Sequence, residues 1–552
     1  MKKHFSLMFF ILFCFLLLPS AAHAEEYFTE GLYRCRLKDG QIAIVNTDAS
    51  IGGSVEIPSV LSGWPVTSIG EKAFFGRENI TRIVIPESIT EIGPYAFCGC
   101  FNMKEAVLPK GLSVLPMGIF SGCGFIELPS LSGITTISEY AFDVCHNLRT
   151  VHIPENISRI ENGAFRGTAS VLQFSVSDAN PCFTAIDGNL YTKDGKTMLQ
   201  YALGKPDSAF SFPETTSVIA PRAFYWSKLE TVDIPSQVES IGFEAFYGSE
   251  TLTRVTLANG VLSIGDKAFA KCERLTDIKI PGSIYSIGAG AFRECYALNR
   301  VGIENGVCKI EDSAFFECRA LSEITLPASL THIGDHAFGI CDSLVSVRLP
   351  ETLQSLGSYA FSQCNALETL SLPGSIVSVP KSLAEGAHSL HTVILGHGIE
   401  EIQDGAFRSC GALRTVSMPN TVTFVGENAF DRDWEIREVY FQGTPEAYNA
   451  VQVGPGNELL KNAYAQTFFL PQIYATDYVD NALTVRIEPT VGFLQIKAYN
   501  ASFQLIYTAL VLTNTEKDTY ILPMHDGWNY VNVRLLPQLQ TPAPAKIIPR
   551  LL

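Results

Sequence analysis

The chain has 552 residues, 47% of them apolar and 17% charged, with 40 Lys and Arg against 56 Asp and Glu. That apolar fraction excludes wholesale disorder, because it offers enough burial to offset the entropy of ordering the chain, and an acidic balance with no cluster of Lys and Arg excludes a nucleic-acid partner. Length alone predicts three or four globular units at roughly 150 residues each, an expectation that an internal repeat would void.

Residues 1–24 read as an export signal. Lys2, Lys3 and His4 precede an unbroken apolar run from Phe5 to Leu18, and Pro19 and Ser20 lead into Ala22-His23-Ala24. A basic end, a short apolar core and an A-x-A site predict cleavage after Ala24. The core falls short of the roughly 20 residues that span a bilayer, and Cys14 follows Phe13 where a lipoprotein box needs a small residue. Removing Lys2 and Lys3 leaves 38 basic against 56 acidic residues, a net charge of −18. No later apolar run is long enough to cross a membrane, so the product is expected to be secreted or held at the cell surface.

Residues 25–60 are expected to form an N-terminal β cap. Beyond them a period takes over. Aligning on the dipeptide Ala-Phe places phenylalanines at Phe74, Phe97, Phe120, Phe142 and Phe165, then at Phe224, Phe246, Phe269, Phe292, Phe315, Phe338, Phe361, Phe407 and Phe430. Gaps are 22 or 23 residues except two. The gap of 46 after Phe361 hides a repeat whose Phe position holds Ala384, and the gap of 59 after Phe165 is one repeat plus 36 extra residues. The expected organisation is therefore five repeats over 61–174, an insertion over 175–213, and ten repeats with a closing cap over 214–463.

One unit shows the template. In Leu275-Thr276-Asp277-Ile278-Lys279-Ile280-Pro281 the alternation of Ile278 and Ile280 predicts a short strand with one buried face, ended by a proline that cannot donate to a ladder. Ile284 and Ile287 form a second extended piece that closes at Gly288. Ala291-Phe292-Arg293-Glu294-Cys295 then returns the chain, as one turn of helix or 3₁₀. A single unit cannot bury its Leu, Ile and Phe, whereas stacked copies bury them against each other.

The pattern L-x-x-I-x-I-P-x-x-[VI]-x-x-I-G-x-x-A-F-x-x-C resembles the leucine-rich repeats of the BspA-like family of bacterial surface and secreted proteins, over about residues 60 to 445. The opening Gly63-Trp64-Pro65-Val66-Thr67-Ser68-Ile69-Gly70 is similar to the start of that family's array. The resemblance implies a β-rich leucine-rich-repeat solenoid, no enzymatic activity, and binding of host matrix proteins or of cell-surface proteins and glycans. Departures are Ala384, a shortened strand at Phe125-Ile126-Glu127-Leu128-Pro129, and Pro221 after the insertion.

Nine of the 14 cysteines follow the period, three residues after the repeat Phe: Cys100, Cys123, Cys145, Cys272, Cys295, Cys318, Cys341, Cys364 and Cys410. The same position elsewhere holds Thr168, Ser227, Ser249 and Ala387, all small, and only the first and last repeats differ, with Arg77 and Asp433. This predicts a buried ladder of free thiols acting as compact hydrophobes, with charge permitted at the ends. Disulfides between rungs are the alternative, but a regular ladder points its side chains in parallel rather than towards each other. Cys98-Gly99-Cys100 is half of a metal or redox motif without a second pair. Cys35, Cys182 and Cys308 lie off the ladder.

In the insertion, Asp187-Gly188 and Lys193-Asp194-Gly195-Lys196 flank short apolar runs and predict a β-hairpin projecting from the solenoid, either as a spacer or as a binding protrusion. After the closing cap, alternating runs over 470–540 predict a small β-sandwich, followed by a tail at 541–552.

No hydrolase, zinc-protease, dinucleotide or paired C-x-x-C motif occurs, and no cofactor or metal is expected. His332 and His336 straddle the repeat turn at Gly334, and His388, His391 and His397 fall on different parts of a coil, so neither set is expected to converge on a metal. A ladder does create an extended sheet face. Its outward column reads Val84, Val107, Glu127, His152, Gln173, Asp233, Thr256, Lys279, Gly302, Thr325, Arg348, Ser371, Ile394, Ser417 and Tyr440. Two readings stand for it: a face that binds a protein or glycan, with His152, Asp233, Lys279, Arg348 and Tyr440 as the candidate residues, or ordinary solvated sheet on a structural, envelope-associated spacer without a specific ligand.

Overall fold

The computed structural model describes residues 25–462 and, beyond them, the strand segments 464–465, 473–479, 482–487, 492–499, 505–513, 519–523 and 530–537. The segment expected to direct export, with the cleavage site expected at Ala24, and the tail at 541–552 lie outside the described residues.

Over most of the array each coil is bonded to the next along three sides. On the first, strand Asp277–Ile280 buries Ile278 and Ile280, turns Asp277 and Lys279 outward, and pairs in parallel with Arg300–Ile303. On the second, the two-residue strand Ser286–Ile287 pairs in parallel with Lys309–Ile310. Glycine follows because backbones close in here. A Cβ on Gly288 would lie 2.6 Å from the carbonyl carbon of Gly265, and one on Gly265 would lie 2.8 Å from that of Gly242.

The third side is not the turn of helix that the spacing predicts. Alternate N–H groups leave the coil: Gly290, Phe292 and Glu294 donate to the carbonyls of Asp312, Ala314 and Phe316 in the next coil, each at 2.8 Å. The intervening Ala291, Arg293 and Cys295 bond within their own coil, to Gly288, Gly290 and Phe292. A helix directs every N–H along its own axis and would leave this edge of the coil unpaired. Alternation needs left-handed residues two positions either side of the Phe, and they are found there, with φ of +61° at Gly290 and +60° at Glu294.

Inside the three walls the repeat phenylalanines stack. Phe74, Phe97, Phe120, Phe142 and Phe165 follow one another at centroid separations of 4.9 to 5.8 Å, and from Phe246 to Phe361 the rings are within 7° of parallel. All are buried. The stack stops at Ala384, where the usual Ala-Phe order becomes Leu383-Ala384 and the leucine is buried instead. The backbone rung continues regardless: Phe361 N–H donates to Leu383 and Ala384 N–H to Ala406, both at 2.8 Å.

The insertion does not project. Strands Phe183–Ile186, Asn189–Thr192 and Thr197–Gln200 form an antiparallel meander, and the last pairs in parallel with Val218–Ile219, placing the meander at the head of a ten-stranded sheet. Leu190, Tyr191 and Met198 are buried, so the hairpin's apolar residues belong to the core and not to a protrusion. The coil register also resumes earlier than Phe224. Tyr201, 23 residues before it, stacks on Phe224 at 5.2 Å and donates its N–H to Ala223 at 2.9 Å, as the repeat Phe of most coils does to the next coil. The second array therefore begins within the segment expected to be insertion, and two hydrophobic clusters meet here, one reaching Ala202 and the other starting at Tyr191.

Both ends are covered. Antiparallel strands Glu26–Glu30, Tyr33–Lys38 and Gln41–Thr47 lead into parallel pairing with Trp64–Ile69, and bury Cys35, Ile42 and Ile44 over the first coil. At the far end helix Pro445–Ala450 is capped by Thr444, whose hydroxyl accepts from Ala447 N–H at 3.2 Å. Strand Gln452–Val453 then pairs with Phe424–Val425. Asn457 closes the ladder: its Oδ1 accepts from Phe430 N–H at 2.9 Å, where another coil would have supplied a carbonyl. The ladder position of the last coil is consequently inside, and Asp433 is fully buried rather than an exposed terminal charge.

Further on, Ile473–Val479, Ala482–Ile487 and Thr519–Pro523 make one antiparallel sheet, and Leu505–Thr513, Gly492–Tyr499 and Tyr530–Pro537 another. The facing of the two sheets that a sandwich requires rests on side chains outside the described residues.

Candidate binding faces

The cysteine ladder lies inside the coils, and its nine thiols are free and buried. Each donates its S–H to the backbone carbonyl of the spine residue one coil earlier, at 3.1 to 3.4 Å; Cys295 bonds Phe269, Cys364 bonds Phe338 and Cys410 bonds Ala384. Ser249 makes the same bond to Phe224 with its hydroxyl, at 3.3 Å. The position thus takes a small residue, most often one with a donor, Ala387 being the exception, and the interchange of Cys with Ser along one column was the available sign. Burial pushes the Cys145 and Cys295 thiols up to about 12 and holds Cys272 and Cys318 well above the usual thiol range. Nucleophilic or metal chemistry needs the thiolate, so these groups are structural. Cys98 stands half-buried outside the ladder that holds Cys100.

A prediction follows for Cys318. Replacement by Ser keeps a donor of similar size and is expected to leave unfolding free energy within about 1 kcal/mol of wild type, whereas Cys318→Leu overfills a site flanked by Cys295 and Cys341 and should cost about 1–3 kcal/mol. Chemical denaturation of the two variants checks the ordering, and equal losses would contradict it.

The first sheet carries the candidate residues in separate stretches. Among the described residues its strands run in groups over 53–107, 150–176, 209–325 and 346–465. His152 sits in the second group, with Nδ1 3.0 Å from Ser175 Oγ. The register pairs Gln173 with Thr150, so the outward column passes from His152 to Ser175 and not to Gln173. Glu127 lies in a bend, because its shortened repeat turns Phe125 into the core against Phe120 instead of forming a strand. Asp233 and Lys279 share the third group, two coils or about 10 Å apart. Asp233 accepts from Thr256 Oγ1 at 2.6 Å, and Lys279 Nζ is 2.6 Å from Glu304 while 76% exposed. Arg348 and Tyr440 lie in the fourth, Arg348 exposed and Tyr440 donating its hydroxyl to Glu438 at 2.9 Å. The five do not converge on one point. They mark a long polar surface on which Arg254, Asp277, Arg300 and Glu323 also alternate in sign from strand to strand.

The return-turn side is different. Arg166 lies between the rings of Tyr140 and Tyr225, at 4.6 and 4.9 Å, and forms paired 2.7 Å bonds with Asp143. Arg222 lies over Tyr140 and Phe243, each at 4.9 Å, and pairs with Glu139 and Glu244 at 2.8 and 2.9 Å. These contacts fasten the coils of Phe142 and Phe165 to that of Phe224 across the insertion. They are not legible in sequence because Arg222 and Glu139 stand 83 residues apart.

Among the described residues no group of His, Cys, Asp and Glu is placed to hold a metal. His336 stacks on Tyr359 at 4.7 Å and His332 lies on a strand. No helix among them is long and apolar enough to cross a membrane.

The sequence profile of the BspA type leucine rich repeat region matches six copies, over residues 67–192, 216–334 and 308–437, more than half of the chain. The chain belongs to the BspA-type leucine-rich-repeat family. The BspA-type match pauses between 192 and 216, the stretch whose coil is centred on Tyr201. Similar solved structures include a leucine-rich repeat protein from Eubacterium ventriosum, 23% identical over 62% of this chain and 95% of that one, with a TM-score of 0.49. One from Bacteroides ovatus is 21% identical over 79% of this chain and 100% of its own, TM-score 0.42. The pneumococcal vaccine antigen PcpA is 18% identical over 61% and 94%, TM-score 0.42. No curated protein matches.

Proposed function

We propose that this BspA-type chain is an exported, non-catalytic scaffold at the bacterial cell surface that binds a host matrix protein or a cell-surface protein or glycan. Residues 1–24 direct export and are removed after Ala24, residues 25–60 and 439–463 close the ends of the arrays, and residues 470–540 form a separate small β domain. The observation that carries the reading is a contrast within each strand. Inward positions repeat from coil to coil, as in Val232, Val255, Ile278 and Val301, while the outward position beside them changes every time, through Asp233, Thr256, Lys279 and Gly302. Stability fixes the first set and leaves the second free to be shaped by a partner.

The test replaces Asp233, Lys279 and Arg348 together by Ala. These are exposed, and surface changes of this kind alter stability within about 0.5 kcal/mol each. Immobilised wild type should capture a matrix protein or surface glycan, and the folded triple variant should bind it at least about tenfold more weakly. Unchanged capture would remove the sheet face as the site.

A further inference from the structure

The second side of the coils, apart from the sheet face, carries one stretch that departs from its own pattern. Its two-residue strands run in one ten-stranded sheet, with Ile241, Ile264, Ile287 and Ile310 in register and buried. The residue just before each strand lies at the surface. In the outer coils of this stretch that place is polar, with Ser217 and Glu239 on one side and Thr331 and Gln354 on the other. Between them it holds Leu262 and Tyr285, 55% and 59% exposed, and then the half-buried Cys308. Ser263 and Ser286 stand next to the two apolar residues and are too short to cover them. Burial of such a pair would remove apolar surface from water.

Charge frames the pair. Glu239 is exposed, and its carboxylate has no hydrogen-bond or ion-pair partner among the described residues. At the other end Lys309 reaches back along the row, with Nζ 5.9 Å from the centre of the Tyr285 ring, and among the described residues it has no carboxylate partner. The row therefore reads acid, Leu, Tyr, base, at coil steps of about 4.8 Å. A row in that order is complementary to itself reversed.

We infer that this side is the contact between two antiparallel copies of the chain, related by a two-fold axis that passes between Leu262 and Tyr285. Such an axis sets Leu262 of each copy against Tyr285 of the other, and Glu239 of each against Lys309 of the other. Further out, Ser217 meets Thr331 and Lys196 meets Gln354, so no like charges oppose each other along the row. The order of charges selects a second copy, because a partner of a single sign would satisfy one end of the row and oppose the other. The contact is about 35 Å long and about 12 Å wide and covers about 400 Å² per copy, roughly half of a standard interface, so the dimer is weak and reversible. The sheet face that holds Asp233 and Lys279 lies on another side and remains free. A dimer presents it twice, which raises avidity for a repetitive partner without any new contact.

Sedimentation velocity of the mature chain in physiological salt, over about 2 to 200 μM, tests this. The wild type should pass from monomer to dimer within that range. Glu239→Lys and Lys309→Glu should each weaken association by about tenfold or more. The double swap restores both pairs in the opposite sense and should return association to within about threefold of wild type. Leu262→Ser combined with Tyr285→Ser should remain monomeric throughout. Circular dichroism checks that each variant is folded, and if a single reversal is not, the double swap and the serine variant decide. Wild type that stays monomeric at the highest concentration overturns the contact, and so does a dimer unmoved by these changes. Failure of the folded double swap to regain what the reversals lose overturns the antiparallel pairing.

Discussion

Phe315→Ala is expected to lower the free energy of unfolding by about 3–5 kcal/mol, in the range of large-to-small changes in well-packed cores. Its ring is fully buried and stacked on both sides, 5.3 Å from Phe292 and 5.4 Å from Phe338, within 3° of parallel. The coils on either side are tied by backbone bonds along three walls, so they cannot collapse into the space left behind. Phe361→Ala should cost less. That ring has an aromatic neighbour at 5.5 Å on one side only, the other facing the coil of Ala384, and each missing stacked pair is worth about 0.5–1.5 kcal/mol. Guanidinium denaturation of both variants gives the comparison. Losses below about 1 kcal/mol at Phe315 would mean that the spine is not what stabilises the array.

The second large effect is a gain. Asp433→Asn should stabilise the closing coil, increasingly so as pH rises. Asp433 occupies the ladder position with no exposed surface; Oδ1 accepts from Cys410 N–H at 2.6 Å and Oδ2 has no hydrogen-bond partner. Burial raises its carboxyl from the ordinary 3.8 to about 9, with a smaller push from Asp431, against the opposing effect of the Cys410 N–H. The folded state therefore holds a proton that the unfolded chain has released. The stability linked to that proton is fully present below about 3.8 and is lost as pH climbs through about 9. Asparagine keeps the Oδ1 acceptor and removes the ionisation, so it should flatten this decline and add about 1–3 kcal/mol at pH about 8. Parallel pH profiles for wild type and variant would contradict the assignment.

The period was legible because every coil must meet the same inward demands, so Phe and a small donor recur and nearly all of the array follows from their spacing. Where a coil meets those demands differently, the sequence is silent. Tyr201 fills the spine but is not phenylalanine, and its place shows in its stacking on Phe224 and in the N–H it gives to Ala223. The return segment reads as helix because Ala, Phe and Cys fall about one turn apart; the left-handed residues that break it, such as Lys267 and Glu294, are ordinary surface types. Asp433 looks like a solvated end because the chain that covers it arrives only at Asn457. Spacing likewise places residues on a strand without showing which faces gather rings. The sheet column was readable coil by coil, whereas the seat of Trp226 needs two glycines from coils on either side of an insertion.

The most direct test of the account is capture by the purified mature chain, presented with immobilised matrix proteins and cell-surface glycans in physiological salt. A binding scaffold predicts saturable, competable binding to at least one of them, weakened when exposed residues of the array are replaced and unaffected by exchange of buried ladder cysteines for serine. Silence across the whole panel from a folded chain would contradict it.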